Sequence, residues 1–343
     1  MPDSATKSGF SRYLKVGIPL LVSALAIWLV IRKLDFKAVG DAFSQLSSGS
    51  ILLIALCFLI GSLLRGVTCY IILGGKLSYS HVFWGMNLGY LLNTIVPLRL
   101  GEFGRAAFLT EGSDHKVGYL EVLASIVAER ILDLLVGFSF LLFCLLFLIE
   151  NESLNQIAVI GIFILAILIG LIFYATRNRQ RVVLWLNNRF SKSEFLTRKV
   201  NPRVEQLLNG FEYFTRPGRF LSAFFILAIS WSFSMIEYGI LQRAILPNPE
   251  WWWPMLVNTA SAFLNALPSA PGGLGVFEAG TVGAYALVGI EKEPALAIAL
   301  VVHSVQIAIP AMLGVIALLL SGQTLGSLID KATKIQQKEE RQS

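Results

Sequence analysis

Long apolar runs, separated by short polar stretches, set the pattern of this chain. They occur at 16–31, 51–73, 122–149, 157–175, 220–246 and 295–320. A hydrocarbon core of ~30 Å takes about 20 residues of helix to cross, so each run predicts a membrane span. Two further apolar stretches, 81–111 and 255–290, lie between these spans and are interrupted. Asn87–Ala107 reads NLGYLLNTIVPLRLGEFGRAA, and Asn258–Gly280 reads NTASAFLNALPSAPGGLGVFEAG. Each opens as an apolar, Asn-containing helix, meets Pro, passes through Gly and resumes with a glutamate, Glu102 or Glu278. A helix in hydrocarbon can break only where the freed backbone groups are buried in protein or line a cavity. Matching breaks in two halves of a chain point to a transport site.

Composition supports the membrane assignment. The chain is 55% hydrophobic and only 15% charged, too apolar for a water-soluble domain of this size. The N-terminal run continues past Ala24-Leu25-Ala26 to Arg32, which favours an uncleaved first span over a signal peptide. The three cysteines (Cys57, Cys69, Cys144) all fall in apolar runs and read as small buried hydrophobes. None of the three histidines is spaced as a ligand partner of another His or Cys, so neither a metal nor a cofactor is expected.

Charge then sets the topology. Residues 177–219 hold eight Arg and two Lys against three Glu, a balance of +7 in a chain whose net charge is +6. The positive-inside rule places this loop in the cytoplasm. Residues 1–15 and 321–343 carry further cations and are expected on the same side. The loop at Glu150–Glu152 and the turn at 247–253, with Trp251–Trp253 as an aromatic belt, then face outward. This side assignment holds only if 81–111 enters from the cytoplasm and returns without crossing. The same count makes 255–290 a hairpin dipping in from outside. The expected fold is therefore an all-α polytopic membrane protein: six spans plus two re-entrant hairpins in an inverted repeat, forming one membrane domain over 16–320. Val182, Val183, Trp185, Leu186 and Phe190 interleave with Arg179, Arg181 and Arg189, as in a helix lying on an anionic membrane surface. The same loop also reads as a topology determinant alone. Nucleic acid is not an expected partner.

Six ionisable groups fall where the pattern places the bilayer interior: Arg65, Glu129, Arg130, Asp133, Glu237 and His303. A lone Arg or Asp at mid-bilayer costs about 2.5–3.5 kcal/mol on insertion scales, so such groups face a partner or a wet cavity. Glu129 and Asp133 share a helix face at i,i+4. Arg130 is turned about 100° from Glu129 and is expected to pair with a carboxylate from another segment. His303 and Gln306 share a face at i,i+3. His303 follows Glu278 by 25 residues and Glu129 follows Glu102 by 27, so each interrupted stretch precedes a span with a polar group at similar depth. In the first break, Pro97 ends a helix, Gly101 and Gly104 permit a tight turn, and Arg99 and Arg105 flank a helix start suited to phosphate. Glu102 could instead cap that helix or neutralise an Arg. In the second break, Pro268, Pro271, Gly272, Gly273 and Gly275 supply backbone but no cation. These charged groups also read as ion pairs that hold spans together, and the Asn residues as interhelical hydrogen bonders.

Pro97–Arg105 and Pro271–Glu278, with the Ala128-Glu129-Arg130 step, resemble the elements of the lysylphosphatidylglycerol synthase transmembrane-region family. The resemblance extends over roughly residues 10–325. It implies a flippase-like, lipid-handling module of the cell membrane acting on an anionic phospholipid or a lipid-linked headgroup. The chain ends at Ser343, soon after its last span. A soluble aminoacyl-transferase domain is therefore not expected, nor is enzyme activity. Under this reading the candidate headgroup residues are Arg99, Glu102, Arg105, Glu129, Arg130, Asp133, Glu278 and His303. Two alternatives remain open: a membrane scaffold for a lipid-modifying or glycosyl-transferring enzyme, and a membrane-embedded transferase using Glu102 and Glu278.

Overall fold

Unbroken apolar runs satisfy their backbone only by folding as helices, and every regular element among the described residues is helical. The computed structural model describes Trp28, 36–95, 101–111, 117–147, 152–178, 180–181, 184–185, 215–267, 269–322 and Gly326. The chain runs α1 (Phe36–Ser44), α2 (Ser48–Ile72), α3 (Tyr79–Ile95), α4 (Gly101–Glu111), α5 (Tyr119–Phe147), α6 (Glu152–Arg177), α7 (Pro217–Ile245), α8 (Trp253–Asn265), α9 (Val276–Leu287) and α10 (Lys292–Ser321). A single 3₁₀ turn, Pro271–Gly273, lies between α8 and α9. Three helices among the described residues, α2, α7 and α10, are long and apolar enough to cross a membrane by length and composition. Apart from Trp28, the span expected at 16–31 lies outside the described residues, as do most of the surface helix expected at 179–190 and Pro97, Arg99 and Pro268.

Both interrupted stretches resolve into pairs of short helices. Helices α3, α4, α8 and α9 have 17, 11, 13 and 12 residues. At 1.5 Å per residue these are about 16–26 Å long, short of a ~30 Å hydrocarbon core. In each stretch the second helix doubles back along the first. A Cβ at Gly85 of α3 would stand 2.6 Å from Leu109 of α4, and His81 stacks on Phe108 with centroids 4.8 Å apart. At the other end, the Gly101 N–H donates to Asn93 Oδ1 at 2.8 Å. In the second pair, a Cβ at Gly280 would lie 3.2 Å from Ser261 Cα, and the Ser261 and Thr281 hydroxyls meet at 2.9 Å.

The chain divides into two compact units. One comprises the described residues of Met1–Gly61, Tyr90–Gly101 and Trp231–Leu313; the other comprises those of Ser62–Gly89, Glu102–Ser230 and Gly314–Ser343. The first unit packs around Tyr238, Leu241, Tyr285, Ile298 and Val302, all essentially sealed. Helix α1, at nine residues too short to be a span, contributes Val39 and Ala42 to this core. In the second unit α5 packs on α6, with Leu142 pressed to within 2.9 Å of where a Cβ on Gly161 would sit. The other side of α6 exposes Ile160, Phe163, Ile164, Ile167 and Leu171. A continuous apolar stripe of this kind on a helix suits contact with lipid tails.

Candidate functional site

The second unit holds a chain of alternating charges built on α2, α4 and α5. Glu129 and Asp133 project from one face of α5, as their i,i+4 spacing predicts. Glu129 is 1% exposed, and its Oε2 accepts from Arg105 Nη1 of α4 at 2.9 Å. Its Oε1 lies 3.5 Å from Arg65 Nη1 of α2. Arg65 then forks onto Asp133, with Nη1 and Nη2 donating to Oδ2 and Oδ1 at 2.8 and 2.7 Å. This bidentate geometry is the one a guanidinium makes best. Arg130 continues the chain, with Nη1 3.6 Å from Asp133 and Nη2 3.1 Å from Glu102 Oε1. Three arginines thus meet three carboxylates, and the formal charges cancel.

Exposure grades along this chain. The Arg105 and Glu129 side chains are 5% and 1% exposed, Arg65 and Asp133 are 20% and 13%, and Arg130 and Glu102 are 35% and 28%. The inner pair is sealed and the outer pair is accessible. Cys69, read from the sequence as a small hydrophobe, is buried but also donates its Sγ–H to Glu129 Oε2 at 3.1 Å.

The first unit holds a different pair at its own helix break. Glu278 sits in the first turn of α9, and its Oε2 accepts the Gly275 N–H at 2.7 Å. This is the reaching-back half of a capping box. Its Oε1 lies 2.6 Å from His303 Nδ1 of α10, and His303 Nε2 lies 2.8 Å from the Gly272 carbonyl. A carbonyl can only accept, so Nε2 carries a hydrogen. One more proton then occupies the short Nδ1–Oε1 contact, on the imidazole or on the carboxyl. The loop that presents Gly272 depends on glycine. Gly273 has φ +75°, and a Cβ there would fall 2.1 Å from Asn265 Oδ1. A Cβ at Gly272 would stand 3.9 Å from Thr94 Cγ2, so the end of α3 abuts this same loop.

The sequence profile of the family described as "Lysylphosphatidylglycerol synthase TM region" matches residues 16–314. The chain belongs to this family. It is 23% identical over 297 residues to a UPF0104 membrane protein of Pyrococcus horikoshii, covering 81% of this chain and 88% of that protein. A UPF0104 membrane protein of Methanothermobacter thermautotrophicus is 24% identical over 336 residues, covering 90% and 95% respectively. Membrane residence follows from the family and from the apolar helices.

Within this family member the structure brings together five of the eight candidate residues in one network: Glu102, Arg105, Glu129, Arg130 and Asp133. Glu278 and His303 form the separate pair in the other unit, and Arg99 lies outside the described residues. Arg105 is turned inward to Glu129, which removes it from an open, phosphate-ready helix start. Gly101, expected in a turn, is the first helical residue of α4 and is capped by Asn93 from α3. Arg65 is the linking residue that the candidate set omitted. Its signal was its position, a cation inside the apolar run 51–73. A correspondence also appears that spacing alone had slightly misplaced: the first-turn glutamate of each returning helix pairs with the next long helix, Glu102 with Arg130 and Glu278 with His303.

Proposed function

We propose that this chain is a flippase-like membrane transporter that binds a phospholipid or lipid-linked headgroup and passes it through the helix-break region. The observation that carries this reading is the graded arginine–carboxylate network. Ionisable groups inside membrane helices are costly, and they are kept where a substrate or ion must be handled. At its accessible end Arg130 holds Glu102 in a pair for which a headgroup phosphate can compete, the displaced Glu102 carboxylate, 28% exposed, then turning to water. The sealed Arg105–Glu129 end anchors the geometry. The four short helices support a topology of six spans plus two re-entrant hairpins in an inverted repeat. The positive balance of 177–219 supports an orientation with both termini in the cytoplasm, in the cell membrane.

The network's formal charges also cancel among its own members, as they would in a purely structural one. That observation favours the second reading, a non-transporting scaffold for a lipid-modifying enzyme. Reconstitution separates the two. Proteoliposomes carrying the full chain should move fluorescent phosphatidylglycerol between leaflets, and Arg130→Ala should lower the rate about tenfold or more, the worth of one charge-assisted hydrogen bond. Wild-type protein that moves no lipid, yet still retains a neighbouring enzyme in pull-downs, would sink the transport reading.

A further inference from the structure

Glu237 of α7 takes no part in either site. It is 0% exposed, and among the described residues neither carboxyl oxygen has a hydrogen-bond partner. Its polar neighbour is the half-buried Gln306 side chain of α10, which does not reach hydrogen-bonding geometry with it. Among the described residues, the groups within electrostatic reach are few. Cys57 of α2 faces it, and Tyr238 on its own helix senses both Glu237 and Glu278. Neither supplies a cation. The imidazole of His303 lies one helical turn from Gln306 on the same face of α10 and is committed to Glu278 and Gly272. A bare carboxylate sealed away from water and from every cation costs far more than a neutral acid. A metal ion is a poor alternative, because one carboxylate and one amide fall well short of the six or more oxygens that hard cations take.

We propose that Glu237 is a proton-binding site of the first unit, carrying a proton at neutral pH and surrendering it to water only when the helices around it open. On release the carboxyl O–H bond breaks, water takes the proton, and the carboxylate left behind draws in the Gln306 amide N–H. Gln306 and His303 occupy one face of α10, so that movement bears on the helix that also holds Glu278. The proton site stands on this geometry alone; its coupling to cargo rests on the transport reading.

Infrared difference spectroscopy on the full chain in nanodiscs tests the site. At neutral pH the wild type should show the carbonyl band of an un-ionised carboxyl that shifts in D₂O. The band should vanish in Glu237→Gln and persist in Glu278→Gln. Glu237→Gln, neutral and isosteric, should keep the wild-type unfolding temperature. A wild-type spectrum without the band, a band that survives Glu237→Gln, or a large loss of stability in that variant would overturn the site. Coupling is read in proteoliposomes as a response of phosphatidylglycerol movement to an imposed pH gradient, lost in Glu237→Gln. Movement indifferent to the gradient overturns the coupling and leaves transport standing. No lipid movement at all, with the Glu237 band present, overturns transport and leaves the proton site standing.

Discussion

Neutralising Glu129 is the most searching perturbation of the charge network. Glu129→Gln removes the anion from between Arg105 and Arg65, and these two arginines do not suffer equally. Arg65 keeps its fork onto Asp133 at 2.7 and 2.8 Å. The Arg105 side chain, 5% exposed, loses the carboxylate it meets at 2.9 Å. Breaking a buried pair on one side costs about 3–5 kcal/mol, because a charge is stranded away from water. Replacing both partners with apolar groups of similar volume is often neutral. Glu129→Gln and Arg105→Met should therefore each cost about 3–5 kcal/mol, while the double change Arg105→Met/Glu129→Leu should cost no more than about 1–2 kcal/mol. Denaturant unfolding in mixed micelles, followed by tryptophan fluorescence, reads all three. Additive single costs, or a cost below about 1 kcal/mol for Glu129→Gln, would refute the claim that the inner pair is sealed and mutually dependent.

The outer pair should behave differently. Arg130 and Glu102 are about a third exposed, so Glu102→Gln should change stability by only about 0.2–1 kcal/mol on the same unfolding curve. Asn93→Ala removes the oxygen that takes the Gly101 N–H, and should cost about 0.5–2 kcal/mol as a lost helix cap. Gly273→Ala should lower the unfolding temperature sharply, since its φ is +75° and its new Cβ meets Asn265 at 2.1 Å. In contrast, Gly40→Ala on α1 meets nothing within 4 Å and should stabilise by about 0.5–1 kcal/mol. Nitrogen NMR of labelled His303 should show Nε2 protonated, and a spectrum with the hydrogen only on Nδ1 would break the assignment to the Gly272 carbonyl.

What was legible in the sequence divides along physical lines. Helix positions were readable within a few residues because hydrocarbon enforces the pattern: 122–149 became Tyr119–Phe147, and 295–320 became Lys292–Ser321. The second helix break was readable because Pro and Gly act locally, and Pro271–Gly273 form a 3₁₀ turn there. Pairing was readable only where one helix fixes it. The i,i+4 face of Glu129 and Asp133 held, and Arg130 did reach a carboxylate on another segment. Which carboxylate it reached, and the inward turn of Arg105, depend on how α4 lies against α5, and no local rule carries that. Arg65 was visible as a cation in an apolar run, but its role as the link between two acids exists only in three dimensions. Helix α1 went unanticipated because its nine residues are too short for a pattern tuned to spans.

The two returning helices solve one local problem with different chemistry. Each begins with N–H groups that have no partner within the helix, and each places a glutamate in its first turn, where the helix dipole favours an anion. That anion needs an opposite partner, and the next long helix supplies it: Arg130 for Glu102, His303 for Glu278. A guanidinium keeps its charge at any pH the protein meets, so near neutral pH the first pair gives way to competition from another anion. An imidazole can lose its charge, so the second pair can be altered by a single proton with no competitor present. If the two breaks took part in one cycle, the first would be addressed by an anionic headgroup and the second by protonation. Exchanging the partners tests this division. Arg130→His should make headgroup binding at the first break pH-dependent, and His303→Arg should remove any pH dependence that arises at the second.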